Sequence, residues 1–250
     1  MKKTTTSIVA AVILAAQLHS SEKLNEIIVT AKSQSDAMDT AGSYTVVTQE
    51  EIKEANANSV AEVLEQKAGI SMGVNSGSQY GRSSMSIRGT ESKHSLMLID
   101  GKRVSASDAL IGMSNFGYNW LPLNAIEKIE VVKGPMSSLY GSSAIGGVVN
   151  MITKKPTEKF FGEFDAMYGV SSADGGDEQQ YSLSLGGKIT DALSATIYGQ
   201  FMDIDPMKEG SSTIASREGK DIKNGMANLW YDIDNTQQLY ISTMHGNKIS

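Results

Sequence analysis

The sequence predicts an α+β domain followed by antiparallel β-strands that enter a membrane. Three observations carry that prediction: a charged and then apolar N-terminus, a middle stretch of mixed helix and strand patterns, and long alternating segments that take over after Pro156.

At the N-terminus, Lys2 and Lys3 precede the apolar run SIVAAVILAAQL, Ser7 to Leu18, which small or polar residues end at His19 to Ser21. The run is shorter than the roughly 20 apolar residues with which a helix crosses a bilayer. It reads as a secretory signal peptide over residues 1–20, so the fold begins around Ser21 and the protein works beyond the inner membrane. No later apolar run is as long, so the remainder is either soluble or membrane-embedded as β-strands.

Composition removes several classes of function. The chain has 250 residues, a formal net charge of -6, 24 glycines, 4 prolines and no cysteine. That length allows one or two domains. An acidic balance without clusters of Lys and Arg gives no nucleic-acid footprint. With no cysteine, and only His19, His94 and His245 as histidines, the usual structural zinc sites lack ligands.

From Tyr44 to Thr153 the elements are short. TVVT is strand-like, and Thr48 with Glu51 forms a capping box for a helix through about Ala55. Ser59 with Glu62 repeats the device ahead of VAEVLEQ, where Val60, Val63 and Leu64 share a face and Gly69 supplies a stop. Strands follow at ISMGV, SMSIRG, SLMLIDG and KRV, the last two joined across Asp100-Gly101, a hairpin signal.

After Pro156 the period becomes two. Phe160, Phe164, Ala166 and Tyr168 oppose Glu163 and Asp165; Tyr181, Leu183, Leu185 and Ile189 oppose Ser182, Ser184 and Lys188; Leu193, Ala195, Ile197 and Phe201 oppose Ser194, Thr196 and Gln200. A fourth segment carries Ala227, Leu229, Tyr231 and Ile233, and a fifth begins near Gln238. Each approximates the 9 to 11 residues of a tilted membrane-spanning strand. Longer connections (SSADGGDE; Asp203 to Asp221) alternate with short turns (TDA; DNT), the asymmetry of an outer-membrane barrel. A soluble sandwich also alternates in and out, and periodicity alone leaves it open.

Between the halves lies VVKGPMSSLYGSSAIGGVVNMITKK, Val131 to Lys155, whose Gly/Ser-rich centre has the look of a phosphate loop. Gly141 and Gly146 have Walker spacing, but Gly147 and Val148 stand where lysine and a hydroxyl are required, and the following VVNMIT reads as a strand. The dinucleotide fingerprint Gly-x-Gly-x-x-Gly does not occur in the segment. Nucleotide chemistry is excluded, and the chain is not expected to be an enzyme.

AIEKIEVVKGPMSSLYGSSAIGGVVNMITKKP, Ala125 to Pro156, instead resembles the C-terminal signature of the plug domain of TonB-dependent outer-membrane receptors. SMSIRG, LMLIDGKRV and, just after the signal peptide, NEIIVTA resemble three further motifs of the family in the same order. The resemblance implies an α+β plug domain followed by antiparallel β-strands of an incomplete transmembrane β-barrel: a TonB-box segment over residues 21–36, the plug over 37–156 and the first barrel strands over 157–250. Five strands are too few to close a plugged barrel of about 22, so the chain is expected to end inside one.

The family's roles map onto particular residues. Glu26, Ile27, Ile28, Val29, Thr30 and Ala31 match the TonB box, which the periplasmic domain of TonB reads by strand addition; the alternative is an ordinary edge strand. Arg88 matches a plug arginine that pairs with barrel-wall carboxylates. Lys133 stands in place of a second such arginine, a point charge instead of a planar fork, with Glu130 as a candidate local partner and Glu127 read as a solvated strand-end charge. Tyr80, Arg82, Phe116 and Tyr118 lie on outward plug loops and are the ligand candidates, since aromatics with an arginine suit a flat anionic iron chelate. Trp120, beside Leu121 and Pro122, reads as plug packing.

PMSSLYGSSAIGGVVN is most similar to catecholate-siderophore and colicin I receptor relatives, which implies a ferric siderophore as cargo, outer-membrane lipid around the barrel, and a surface that a colicin or phage could use. Iron enters only within the chelate, so no resident cofactor or metal site is expected. Cobalamin or haem as ligand, and a truncated plug protein that does not transport, are the alternatives.

Overall fold

The computed structural model describes residues 27–28, 35–36, 43–74, 83–90, 94–104, 120–136, 140, 144–157, 159–171, 174–208, 215–217, 219–234 and 237–249. The signal segment, residues 1–20, lies outside them.

One pair of two-residue strands, β1 (Ile27–Ile28) and β2 (Ser35–Asp36), comes first. Strand β3 (Ser43–Thr48) leads into helix α1 (Gln49–Glu54), and Thr48 and Glu51 form the reciprocal capping box: Glu51 N–H donates to Thr48 Oγ1 and Thr48 N–H to Glu51 Oε2. Helix α2 (Val60–Glu65) starts at Ser59, which caps Glu62 N–H, and the chain turns out of it through Gly69 at φ +79°. β4 (Ile70–Val74) and β5 (Ser83–Ile87) pair antiparallel. β6 (Ser95–Ile99) and β7 (Lys102–Arg103) form the hairpin across Asp100 and Gly101, both with positive φ, as a type I′ turn requires. A 3-10 turn, Leu123–Ala125, precedes β8 (Ile126–Lys133), and β9 (Gly147–Thr153) completes the domain.

These strands form a five-stranded sheet in the order β3-β8-β9-β6-β7, in which β6 and β9 run parallel. Every residue of β9 is buried, because both faces of the sheet are covered. Ile52, Val60, Val63 and Leu64 from the helices and Ile70, Met85 and Ile87 from the β4–β5 hairpin cover one face. On the other face the Gly/Ser-rich segment folds back: Gly134 N–H donates to Gly146 O, Met136 N–H to Ala144 O, and Met136 and Ala144 pack on Leu96, Leu98, Val132 and Val148. A Cβ at Gly147 would lie inside van der Waals contact of the Val132 carbonyl oxygen and 2.9 Å from Ile87 Cδ1. The glycines thus let backbone approach backbone.

The second sheet consists of β10 (Phe161–Gly169), β12 (Glu178–Lys188), β13 (Leu193–Ile204), β16 (Lys220–Asp232) and β17 (Gln238–Ile249), antiparallel in sequence order. Its burial is inverted relative to a soluble sheet. Phe164 and Tyr168 are 64% and 68% exposed, whereas Ser184 and Thr196 are 0% and 1% exposed. A sandwich would bury the aromatics; a barrel in lipid turns them outward. Among the described residues no helix is long and apolar enough to span a membrane.

The connection between β13 and β16, expected as loop from Asp203 to Asp221, starts after Ile204, ends at Lys220 and contains structure of its own. β14 (Met207–Lys208) and β15 (Ala215–Arg217) join β11 (Asp174–Gly175) of the neighbouring long connection in a three-stranded sheet. Each fragment is two or three residues long, too short for a sequence period to register.

Two outcomes follow for stability. Gly147→Ala forces a carbonyl and an isoleucine apart and should cost about 2–3 kcal/mol in denaturant unfolding, whereas Gly199→Ala, whose new Cβ meets nothing within 4 Å, should stay within about 0.5 kcal/mol. Asp100 accepts from Thr153 N–H and Oγ1–H, both at 2.8 Å, and burial raises its pKa above the ordinary 3.8 in spite of those bonds. The folded state therefore holds this proton more tightly than the unfolded chain, and the Asp100 contribution to stability declines as pH rises from 3.8 through the folded value. Asp100→Asn should flatten that decline while keeping the turn; Asp100→Ala should cost about 2 kcal/mol at neutral pH by leaving Thr153 N–H unpaired.

Candidate functional site

The candidate site among the described residues is the seam along which the α+β domain sits on the polar face of the long-strand sheet. Three groups of contacts make it. The 3-10 turn after Pro122 presents Asn124, 7% exposed, whose Nδ2 donates to Asp165 Oδ2 at 2.5 Å and to Ser182 Oγ at 2.9 Å on β10 and β12. Just beyond β9, Lys154 Nζ pairs with Glu163 Oε2 at 2.6 Å, and Lys53 of α1 reaches the other oxygen of the same carboxylate at 3.5 Å. Lys154 O accepts from Tyr198 OH of β13 at 2.5 Å.

The seam is also apolar in places. Tyr198 and Met226 point inward from β13 and β16 and belong to the buried core of the α+β domain. Farther along, Trp120 lies so close to Gly246 of β17 that a Cβ there would stand 2.6 Å from the indole, and Lys102 Nζ lies 4.6 Å from the centroid of the Tyr240 ring. The tryptophan read as plug packing does join the domain's core, from its edge, and it braces that core on the strand wall as well.

Between α1 and the wall a cavity of about 380 Å³ is lined by Lys53, Asn58, Asn124, Glu163, Asp165 and Gln180 among others. Asn124 Oδ1 and Gln180 Oε1 are buried there without a protein hydrogen-bond partner. A space that polar and that large suits water. The seam thus offers room and polar partners for water along α1 and is apolar at Tyr198 and Met226.

Arg88 follows β5 at φ +53°, donates its backbone N–H to Gly69 O at 2.8 Å, and leaves its side chain exposed. Across Gly69 it faces Lys133, whose stem is buried and whose Nζ donates to Ala68 O at 2.5 Å. Burial, and then the Arg88 charge, holds the Lys133 ammonium below its usual pKa. The local partner anticipated for Lys133 is otherwise engaged: Glu130, 1% exposed, pairs with Lys128 at 2.9 Å. Two strand positions separate them, but Lys133 leans toward the loop carbonyl.

Ile27 and Ile28 form β1, paired with Asp36 and Ser35, while Glu26, Val29, Thr30 and Ala31 lie outside the described residues, as do Tyr80, Arg82, Phe116 and Tyr118. The seam residues Asn124, Lys154, Glu163, Asp165 and Tyr198 were not singled out from the sequence. The available signal was Glu163 and Asp165, two carboxylates on one face of a strand whose other face is aromatic.

Residues 36–148 match the family described as TonB-dependent Receptor Plug Domain. The ferric enterobactin receptor PirA of Pseudomonas aeruginosa is 31% identical over 79% of this chain and 29% of its own length. The vitamin B12 transporter BtuB of Photobacterium profundum is 32% identical over 87% of this chain and 34% of its own. The crystal structure of the siderophore receptor PirA from Acinetobacter baumannii superposes with a TM-score of 0.67 at 29% identity, covering 83% of this chain and 32% of that one. The chain spans about a third of the length of the curated relatives it matches.

If Glu163 ties both lysines to the wall, Glu163→Gln should lower the stability of the seated domain by about 1–3 kcal/mol, because Lys154, 14% exposed, keeps its charge and loses its partner. Lys53→Ala, at a side chain 60% exposed, should cost under about 1 kcal/mol. Urea midpoints of the two variants in the full-length protein check the difference.

Proposed function

Because the chain belongs to the TonB-dependent receptors through its plug domain, we propose that it forms the plug and first wall strands of an outer-membrane receptor that binds a ferric siderophore outside and passes it inward, energised through TonB. The observation that carries this reading is the plug seated on the polar face of an inverted sheet, an arrangement that stores a gate inside a membrane wall.

The chemistry divides by position. The long connections after β10 and β13 mark the external end and the short turns before β13 and β17 the periplasmic end. Tyr80, Arg82, Phe116 and Tyr118 belong to outward plug loops in this reading, with stacking and charge suited to an anionic chelate. Iron is cargo here, its ligands supplied by the siderophore. In this reading Arg88, whose side chain is exposed beside Lys133, is the residue that pairs with carboxylates of the wall and supplies the fork that Lys133 lacks. At the other end, Ile27 and Ile28 are held by two residue pairs among the described residues, a ladder weak enough to be exchanged for a strand of TonB. The likeness to a vitamin B12 transporter supports a corrinoid as the second reading of the ligand.

In the full-length receptor, Ile28→Pro removes a backbone donor and fixes φ. Accumulation of ferric siderophore under iron limitation should fall at least about tenfold, while surface binding of the same chelate persists. Normal accumulation would remove the TonB-box assignment. Binding of cyanocobalamin in place of every ferric catecholate tested would overturn the siderophore reading.

A further inference from the structure

The cavity between α1 and the wall gathers oxygen atoms that the seating of the plug leaves unused. Asn124, 7% exposed, donates from Nδ2 to Asp165 Oδ2 and to Ser182 Oγ. Those acceptors fix which end of the amide is oxygen, because the reversed amide would set Oδ1 against a carboxylate. Asn124 Oδ1 is therefore an acceptor, and it is buried without a hydrogen-bond partner, as is Gln180 Oε1 on β12. Asp165 supplies a third oxygen. Ser182 Oγ and Asn124 both bond to its Oδ2, which leaves Oδ1, and no lysine or arginine pairs with this carboxylate among the described residues.

Register brings the three together. Asp165 stands opposite Ser182, and Gln180 lies two positions from Ser182 on the same face of β12. Asp165 and Gln180 are thus diagonal neighbours, with Cα atoms about 7–8 Å apart, and Asn124 reaches them from the plug. All three side chains line the same space of about 380 Å³. Glu163, the other carboxylate there, has both oxygens taken, one by Lys154 and one by Lys53. Water can fill the volume, but it leaves the charge of Asp165 without a counter-charge. A hard cation answers that charge and the two orphaned carbonyl oxygens at once.

We propose that this cavity binds a hard divalent cation of the calcium class, held by Asn124 Oδ1, Gln180 Oε1 and Asp165 Oδ1, with waters of the cavity in its remaining positions. Calcium takes carboxylate, amide carbonyl and water oxygens together and tolerates irregular geometry. No three His, Cys, Asp or Glu side chains gather among the described residues. A donor set with a single carboxylate, near Lys53, puts the affinity at the weak end, about 10⁻⁴–10⁻³ M. The ion joins one plug residue to two wall residues and so clamps the seam beside α1, where the cavity otherwise keeps the two apart. The site rests on the seating of the plug against the wall and not on the ligand transported.

The test follows thermal unfolding of the full-length receptor in detergent, stripped with EDTA and then titrated with calcium chloride. The Tm of the parent should rise by about 2–4 °C at ten times the dissociation constant. Asp165→Asn removes the charge but keeps an oxygen for Asn124 Nδ2, and Gln180→Leu keeps most of the volume but removes the oxygen. Each should weaken the calcium response about tenfold or more, while its Tm in EDTA stays close to that of the parent. Surface binding of a ferric chelate by Gln180→Leu should match the parent, which shows that the variant folds and separates failure of this site from failure of the siderophore reading. A parent whose Tm ignores calcium up to about 10 mM holds water alone in the cavity, and that result overturns the proposal. An equal calcium response in the parent and both variants places the ion elsewhere and overturns it as well.

Discussion

The arrangement depends on one inversion: the long-strand sheet hides its serines, threonines and asparagines and shows its aromatics. Such a sheet is stable only with hydrocarbon on one side and a polar partner on the other. Buried hydroxyls and amides must find hydrogen bonds, and the wall finds part of them internally, as where Asn228 Nδ2 donates to Thr196 Oγ1 and Tyr240 OH to Asn228 Oδ1. Ser182 and Asp165 turn instead to Asn124 of the plug. The plug therefore supplies part of the hydrogen bonding of the wall.

The plug in turn is organised around two central strands, β9 buried throughout and β8 buried from Ile129 to Lys133. β8 and β9 carry the sequence motif that first suggested a phosphate loop, and the structure gives its glycines a steric task. The segment between them folds back over the sheet and brings Gly146 and Gly147 against the backbone of His94 and Val132. Apolar residues on both faces follow from this double cover, which explains why β9 reads as a hydrophobic run from Val148 to Ile152 broken by Asn150, whereas the wall strands alternate.

Much of this was legible in the chain. The capping box at Thr48, the Ser59 N-cap, the Asp100-Gly101 turn and the period-two segments depend on residues within a few positions of one another, and each formed where the pattern put it, although at Ser59 the return bond to Glu62 comes from Asn58 N–H and the box is not reciprocal. The parallel pairing of β6 with β9 joins segments some fifty positions apart and has no local signature. The seam was hidden for a related reason. Glu163 and Asp165 looked like solvated strand charges until Lys154 and Asn124 came to face them, and Tyr198 and Met226 broke the polar alternation of their own strands because the face they occupy is packed against another hydrophobic core. Their departure from the pattern was itself the mark of a contact.

That last contact bears on how far plug and wall can be treated as separate parts. Tyr198 and Met226 are residues of the wall by sequence and of the plug core by packing. Drift in one unit must be answered in the other, so the two are expected to change together across lineages. A chimera that grafts this plug into another receptor's barrel inherits a core with two of its members missing. The modular look of the chain, a domain followed by repeated strands, ends at that boundary, where heredity has to treat the two as one unit.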